Sequence, residues 1–162
     1  MVTLEQPRFV DSPAITVAGL DQRYLPEQMP HIPAQWKRLQ EELQYLTGRV
    51  GQDSFGVWYN VRSAPGTPMF YFSAVRIGEF SPLPRMSRAL IPAGRYAVFA
   101  HRGHVSEIRK TCDAIGTEWL PKSGKEHFRS EPGAPDFFER YGPGFNPETG
   151  LGDIEVWFPI KK

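Results

Sequence analysis

Glu139 stands in the stretch PDFFERYGPGF, residues 135–145, with Phe137, Phe138 and Tyr141 around it. A run this aromatic reads as a strand meant for burial, and taking a carboxylate out of water is costly unless something answers its charge. Strand alternation puts Phe137, Glu139 and Tyr141 on one face and Phe138 and Arg140 on the other, so Arg140 is badly placed to neutralise its neighbour. In the plain reading Glu139 pairs with another arginine, such as Arg62, Arg76 or Arg129, or lies at an exposed edge. In the functional reading it is an acid at the base of an aromatic pocket. An apolar wall raises a carboxyl pKa and a bound cation lowers it again. Stacking a delocalised cation on Trp or Tyr adds roughly 0.5–2 kcal/mol per good contact. An acid alone prefers water, whereas an acid with aromatic walls suits a lipophilic cation.

The other candidates each have two readings. Trp36 and Trp119 lie on apolar helix faces, and Tyr59, Tyr71 and Phe72 lie in paired strands. For all five the plain reading is core packing and the functional one is a cavity wall. His101 and His104 form HRGH without a third ligand nearby, which is weak ground for zinc, so no metal and no cofactor is expected. Cys112 falls on an apolar helix face and reads as an inert buried thiol. No serine elbow, phosphate loop or dinucleotide fingerprint is present. Catalytic residues are therefore unassigned; were the protein an enzyme, Glu139 and Tyr141 would carry the acid–base work.

The elements that must position these residues alternate in a regular order. Residues 8–24 read as an opening strand. Pro33 suits the first turn of a helix whose apolar face is Ile32, Trp36, Leu39, Leu43 and Leu46, with Gly48 as its stop. Strands 55–61 and 68–77 follow, joined by the turn RSAPGT. The order then recurs. A strand over 91–103 precedes a helix face of Val105, Ile108, Cys112, Ile115 and Trp119, which ends before Pro121 and Gly124. PDFFERYGPGF and GDIEVWFPI (152–160) close the chain as paired strands. Pro13-Ala14 is echoed by Pro92-Ala93 roughly 80 positions later, so a duplicated strand–helix–strand–strand unit is expected. The class is α+β, an antiparallel sheet with two helices on one face and a ligand groove between the halves. That offset sets Glu139 against Tyr59, and the two side chains are expected to approach near a pseudo-twofold axis.

Composition bounds the rest. The chain has 162 residues, 40% hydrophobic and 23% charged, which fits one soluble domain. Aromatic content of 13% is high and matches an aromatic core or cavity. With 19 basic and 18 acidic residues and no basic stripe, duplex nucleic acid is not an expected direct partner. No apolar run approaches the roughly 18 residues of a membrane span. The opening MVTLEQPRFVDS lacks a signal-peptide layout, and the lone Cys112 excludes a disulfide framework, so a cytoplasmic address is expected.

With these residues placed, the chain resembles the GyrI-like effector-binding domain. That domain is the drug-sensing module of some AraC-type and MerR-type regulators and also occurs as a free-standing protein. The motifs that carry the likeness are IPAGRYAVFAHRG, EWLPKSG, DFFERY and DIEVWFPI, and it runs from residue 9 to 161. Its most specific parts are FE-x-Y and E-x-W-x-P-I. The resemblance implies one domain over 1–162, with pseudo-repeats near 8–80 and 88–161 and a ligand groove between them. It also implies that Glu139 contacts cationic ligands and that Trp36 lines the groove. The regulators' separate helix-turn-helix domain finds no room here, so a complete transcription factor is not expected. The link to gyrase inhibition is fold-level analogy only.

Three functions follow as expectations. The first is a stand-alone protein that senses or sequesters lipophilic, cationic or planar aromatic molecules. Its ligand-binding residues would be Glu139, Tyr141, Phe137, Trp36, Tyr59, Tyr71, Phe72 and Trp119. The second is a hydrolase of the same family, opening cyclopropane-type DNA-alkylating compounds. The third is a protein–protein module whose partner the sequence does not name.

Overall fold

A computed structural model describes residues 3–61, 65–78 and 85–162. Strand β1 is Arg8–Ser12 and β2 is Ile15–Tyr24. A short 3-10 turn, Pro26–His31, leads into helix α1, Ile32–Leu43. Next come β3, Arg49–Tyr59, β4, Met69–Ile77, β5, Ser87–Ile91, and β6, Gly94–His101. Helix α2 is Ile108–Ala114 and α3 is Leu120–Ser123, and the chain closes with β7, Phe137–Tyr141, and β8, Ile154–Ile160. The α+β class and the antiparallel sheet follow as the sequence leads one to expect.

All eight strands form one sheet in the order β1-β6-β8-β7-β3-β4-β2-β5. The order is symmetrical about the β7–β3 pair, with β3 answering β7, β4 answering β8 and β2 answering β6. The strand expected over 8–24 is in fact two, because Pro13-Ala14 breaks it and its parts serve opposite halves: β1 pairs with β6, and β2 pairs with β4 and β5. The strand expected over 91–103 is broken likewise at Pro92-Ala93, which lies between β5 and β6. Each half thus borrows its outermost strand from the other. Ser12 faces Gly94 and Ile15 faces Ile91, so the β1–β6 ladder runs on into the β2–β5 ladder without a register slip. A corner of two residues spans at most about 11 Å, so the ends of the sheet are drawn together and it curls.

The helices lie on one face. Leu39 and Gln35 of α1 and Ile115 beyond α2 are buried against it. The second helical run is longer and less regular than 105–119: a 3-10 turn at Val105–Glu107, α2, a π turn at Ile115–Trp119, then α3. It does not stop before Pro121. The wide turn comes just before that proline, whose ring would meet the carbonyl four residues back in α register. Gly124, at φ 73°, ends the run. The closing strands are shorter than read, since Gly142–Phe145 is outside β7.

The opposite face carries Val17, Phe55, Val57, Phe72, Val98 and Phe138, which form one buried cluster drawn from both halves. The curl of the sheet is what lets a helix-free face bury so many large side chains.

Candidate functional site

Gly56 of β3 pairs with Glu139 of β7 at the junction of the halves, and Trp58 pairs with Phe137. Alternation therefore puts Gly56, Trp58, Phe137, Glu139 and Tyr141 on the helix-bearing face, with Tyr71 beside Trp58 on β4. A Cβ at Gly56 would stand 2.1 Å from the Tyr71 hydroxyl and 2.6 Å from Glu139 Oε1. The glycine is what allows two long polar side chains to meet across the strands.

Glu139 is only 3% exposed. Its carboxylate accepts three hydrogen bonds: from Trp58 Nε1 to Oε2 at 2.8 Å, and to Oε1 from the hydroxyls of Tyr71 at 2.9 Å and Tyr141 at 2.7 Å. Trp36 on α1 donates Nε1 to the Tyr71 hydroxyl at 3.0 Å. Its ring meets Tyr71 and Tyr141 edge-on, with centroids 6.2 and 5.6 Å away. Every donor to the carboxylate is neutral, and among the described residues no lysine or arginine forms an ion pair with it. Burial pushes Glu139 above the ordinary carboxylate range, and the bonds from Trp58, Tyr141 and Tyr71 hold it down only in part. Burial and the Glu139 charge push Tyr71 and Tyr141 well above the usual phenol value, so both stay protonated and donate. Cys112 packs against the apolar cluster around Phe99 and Ile115, and burial together with the Glu139 charge raises its thiol too.

Arg140 is on the opposite face, as alternation requires, bonded to Asp53, Asp153 and Glu155. Of the other arginines considered as partners, Arg129 pairs with Asp136, Arg76 is exposed on the opposite face, and Arg62 lies outside the described residues.

The structure gathers Glu139, Tyr141, Tyr71, Trp36 and Phe137 and separates the rest. Phe137 links Trp58, 6.4 Å away, to the apolar cluster of the second half. Trp119 belongs to that cluster, packed on Phe99 and Phe9. Tyr59 does not approach Glu139: it is one residue out of phase and projects from the opposite face. Trp58 takes the place expected of it. Tyr59 and Phe72 instead line a cavity of about 400 Å³ on the helix-free face. Sequence reasoning missed Trp58 and Gly56. The available signal was FGVWYNV, where Phe55, Val57 and Tyr59 form the apolar set of one face and leave Gly56 and Trp58 to the other.

The model of the GyrI-like small molecule binding domain matches residues 5–161. The chain belongs to that family. Among curated relatives, the probable transcriptional regulator YgiV of Escherichia coli is 31% identical over 122 residues, 72% of this chain and 74% of YgiV. The transcriptional regulator BrlR of Pseudomonas aeruginosa is 27% identical over 157 residues. That alignment takes in 94% of this chain but 54% of BrlR, so the chain spans about half that regulator's length. A solved structure of SAV2435 bound to tetraphenylphosphonium superposes with TM-score 0.70 at 19% identity, covering 97% of this chain and 94% of the other. This is a GyrI-like small-molecule-binding domain built on the same fold. Among the described residues no helix is long and apolar enough to cross a membrane.

Proposed function

We propose that the protein senses or sequesters lipophilic small molecules, cationic or planar aromatic, held between its halves over Glu139. One observation carries this reading: a carboxylate 3% exposed whose recorded partners are all neutral. Burying an ionised group without a counter-charge is costly, and a bound cation offsets that penalty. Trp36, Tyr71, Tyr141 and Trp58 supply aromatic edges and faces around the acid, the surroundings a delocalised cation prefers. Trp36 is half-buried and, among the described residues, its one hydrogen bond is through the indole nitrogen, so turning its ring off Tyr71 and Tyr141 would open the acid to a ligand. The tetraphenylphosphonium bound by the structurally similar SAV2435 is a guest of this chemical class.

The test is titration of tetraphenylphosphonium against intrinsic Trp fluorescence. Glu139→Gln keeps the size of the side chain, removes its charge and turns one of its two acceptor oxygens into an amide donor, and is expected to weaken binding about tenfold or more. Equal affinity in the two proteins would remove the charge from the explanation.

A hydrolase is the second reading, because Glu139, raised above the usual range and 2.7 Å from the Tyr141 hydroxyl, is suited to general-acid work. Incubation with a cyclopropane-bearing alkylator separates the two: turnover beyond one equivalent marks an enzyme, and depletion that stops at one equivalent marks a binder.

A further inference from the structure

We propose that the cavity of about 400 Å³ on the helix-free face is a second small-molecule site, which takes a planar aromatic carboxylate. Its walls include Phe70, Phe72 and Tyr59, large enough to stack a flat ring system. Two donors lack a full complement of acceptors. The Tyr59 hydroxyl, half-buried, makes no hydrogen bond among the described residues. The side chain of Arg129 is 43% exposed, and its ion pair with Asp136 spans 3.7 Å, longer than the roughly 2.7–2.9 Å of a charge-assisted bond. Arg88, Arg129 and Asp21 are the charged groups of the lining, and Arg129 keeps its long pairing with Asp136. Burial and the nearby Asp21 push the Tyr59 phenol up to about 12, so it remains a donor throughout the neutral range. A carboxylate accepting from Tyr59 and Arg129 meets both, and a hydroxyl on the rings can donate to Asp21, which also lines the cavity.

This site differs from the Glu139 site in sheet face and in charge. The aromatic doublets Trp58-Tyr59 and Tyr71-Phe72 divide between them, since neighbours on a strand point to opposite faces.

The experiment is a fluorescence titration of the intact protein with 6-hydroxy-2-naphthoate. Saturable binding is expected, weakened about tenfold by Arg129→Gln and about threefold by Tyr59→Phe. The methyl ester of the probe should lose as much as Arg129→Gln does. Because Arg129 also touches Asp136, a second variant guards against misfolding: Ala89→Trp fills the cavity from β5 and should abolish binding with an unchanged melting temperature. Glu139→Gln and saturating tetraphenylphosphonium should leave naphthoate affinity as it is. The proposal fails if no saturable binding occurs, if the phosphonium displaces the probe, or if Arg129→Gln and Ala89→Trp bind like the wild type.

Discussion

At the scale of single residues, the site turns on one carboxylate kept from water by neutral donors, and its titration gives a direct prediction. The folded-state pKa of Glu139 is raised, so between its unfolded and folded pKa values the native chain holds more protons than the unfolded chain. Stability from this group is therefore fully present below the ordinary carboxylate range and declines as pH rises through the folded value. Urea unfolding as a function of pH should show that decline in the wild type and lose it in Glu139→Gln; parallel profiles for the two would contradict the assignment. Glu139 and its same-face neighbours were legible from alternation alone, because period two is a local property of any strand. Tyr59 was misplaced because a repeat offset counted along the chain does not fix facing parity; only the register of β3 on β7 does.

At the scale of elements, α1 is pinned by a residue that carries no ligand. Gln35, fully buried, accepts from the Tyr24 hydroxyl at 2.7 Å. Its amide nitrogen lies 2.8 Å from the Leu20 carbonyl, 3.1 Å from that of Tyr71 and 3.1 Å from Ser73 Oγ. These bonds fasten the helix to β2 and β4 one residue before Trp36. The wall over Glu139 is thus a half-buried side chain carried on a fixed helix, and Gln35→Met should show how the helix is held. That variant keeps the volume but takes from the buried Tyr24 hydroxyl its Gln35 acceptor, while Ser73 still donates to the Leu20 carbonyl, for an expected loss of about 1–3 kcal/mol. The loss would be read from the urea midpoint at constant slope. A midpoint unchanged from the wild type would mean that apolar packing alone holds α1. Helical periodicity located α1 well, since an amphipathic face repeats within a few residues. The π turn before Pro121 was not legible, because it is a compromise between a proline and the packing of Ile115 and Trp119, and packing is not written in spacing.

At the scale of the whole molecule, the interleaving of β1 and β5 makes each half incomplete by itself. Fragments 3–84 and 85–162, prepared separately, should each show unfolded far-UV circular dichroism and recover strand signal when mixed in equal amounts. A cooperative melt of 85–162 alone would show that the second half does not need β1 and β2. Duplication was readable in the order of elements, but the exchange was not: a strand broken by Pro-Ala looks the same whether its parts stay together or separate.

The shared ladder also bears on how the chain is made. Residues of β1 find their partners only in β6, so Arg8 waits for Val98 and Ser12 for Gly94. At ordinary ribosomal speeds that delay is on the order of 5–20 s. Throughout it β1 has no strand partner, and β2 waits first for β4, at Met69–Ile77, and then for β5, at Ser87–Ile91. Contacts this distant in sequence close slowly and leave strands open to wrong partners meanwhile. Yield in a growing cell should consequently respond to translation rate and to chaperone supply more than the size of the domain would suggest.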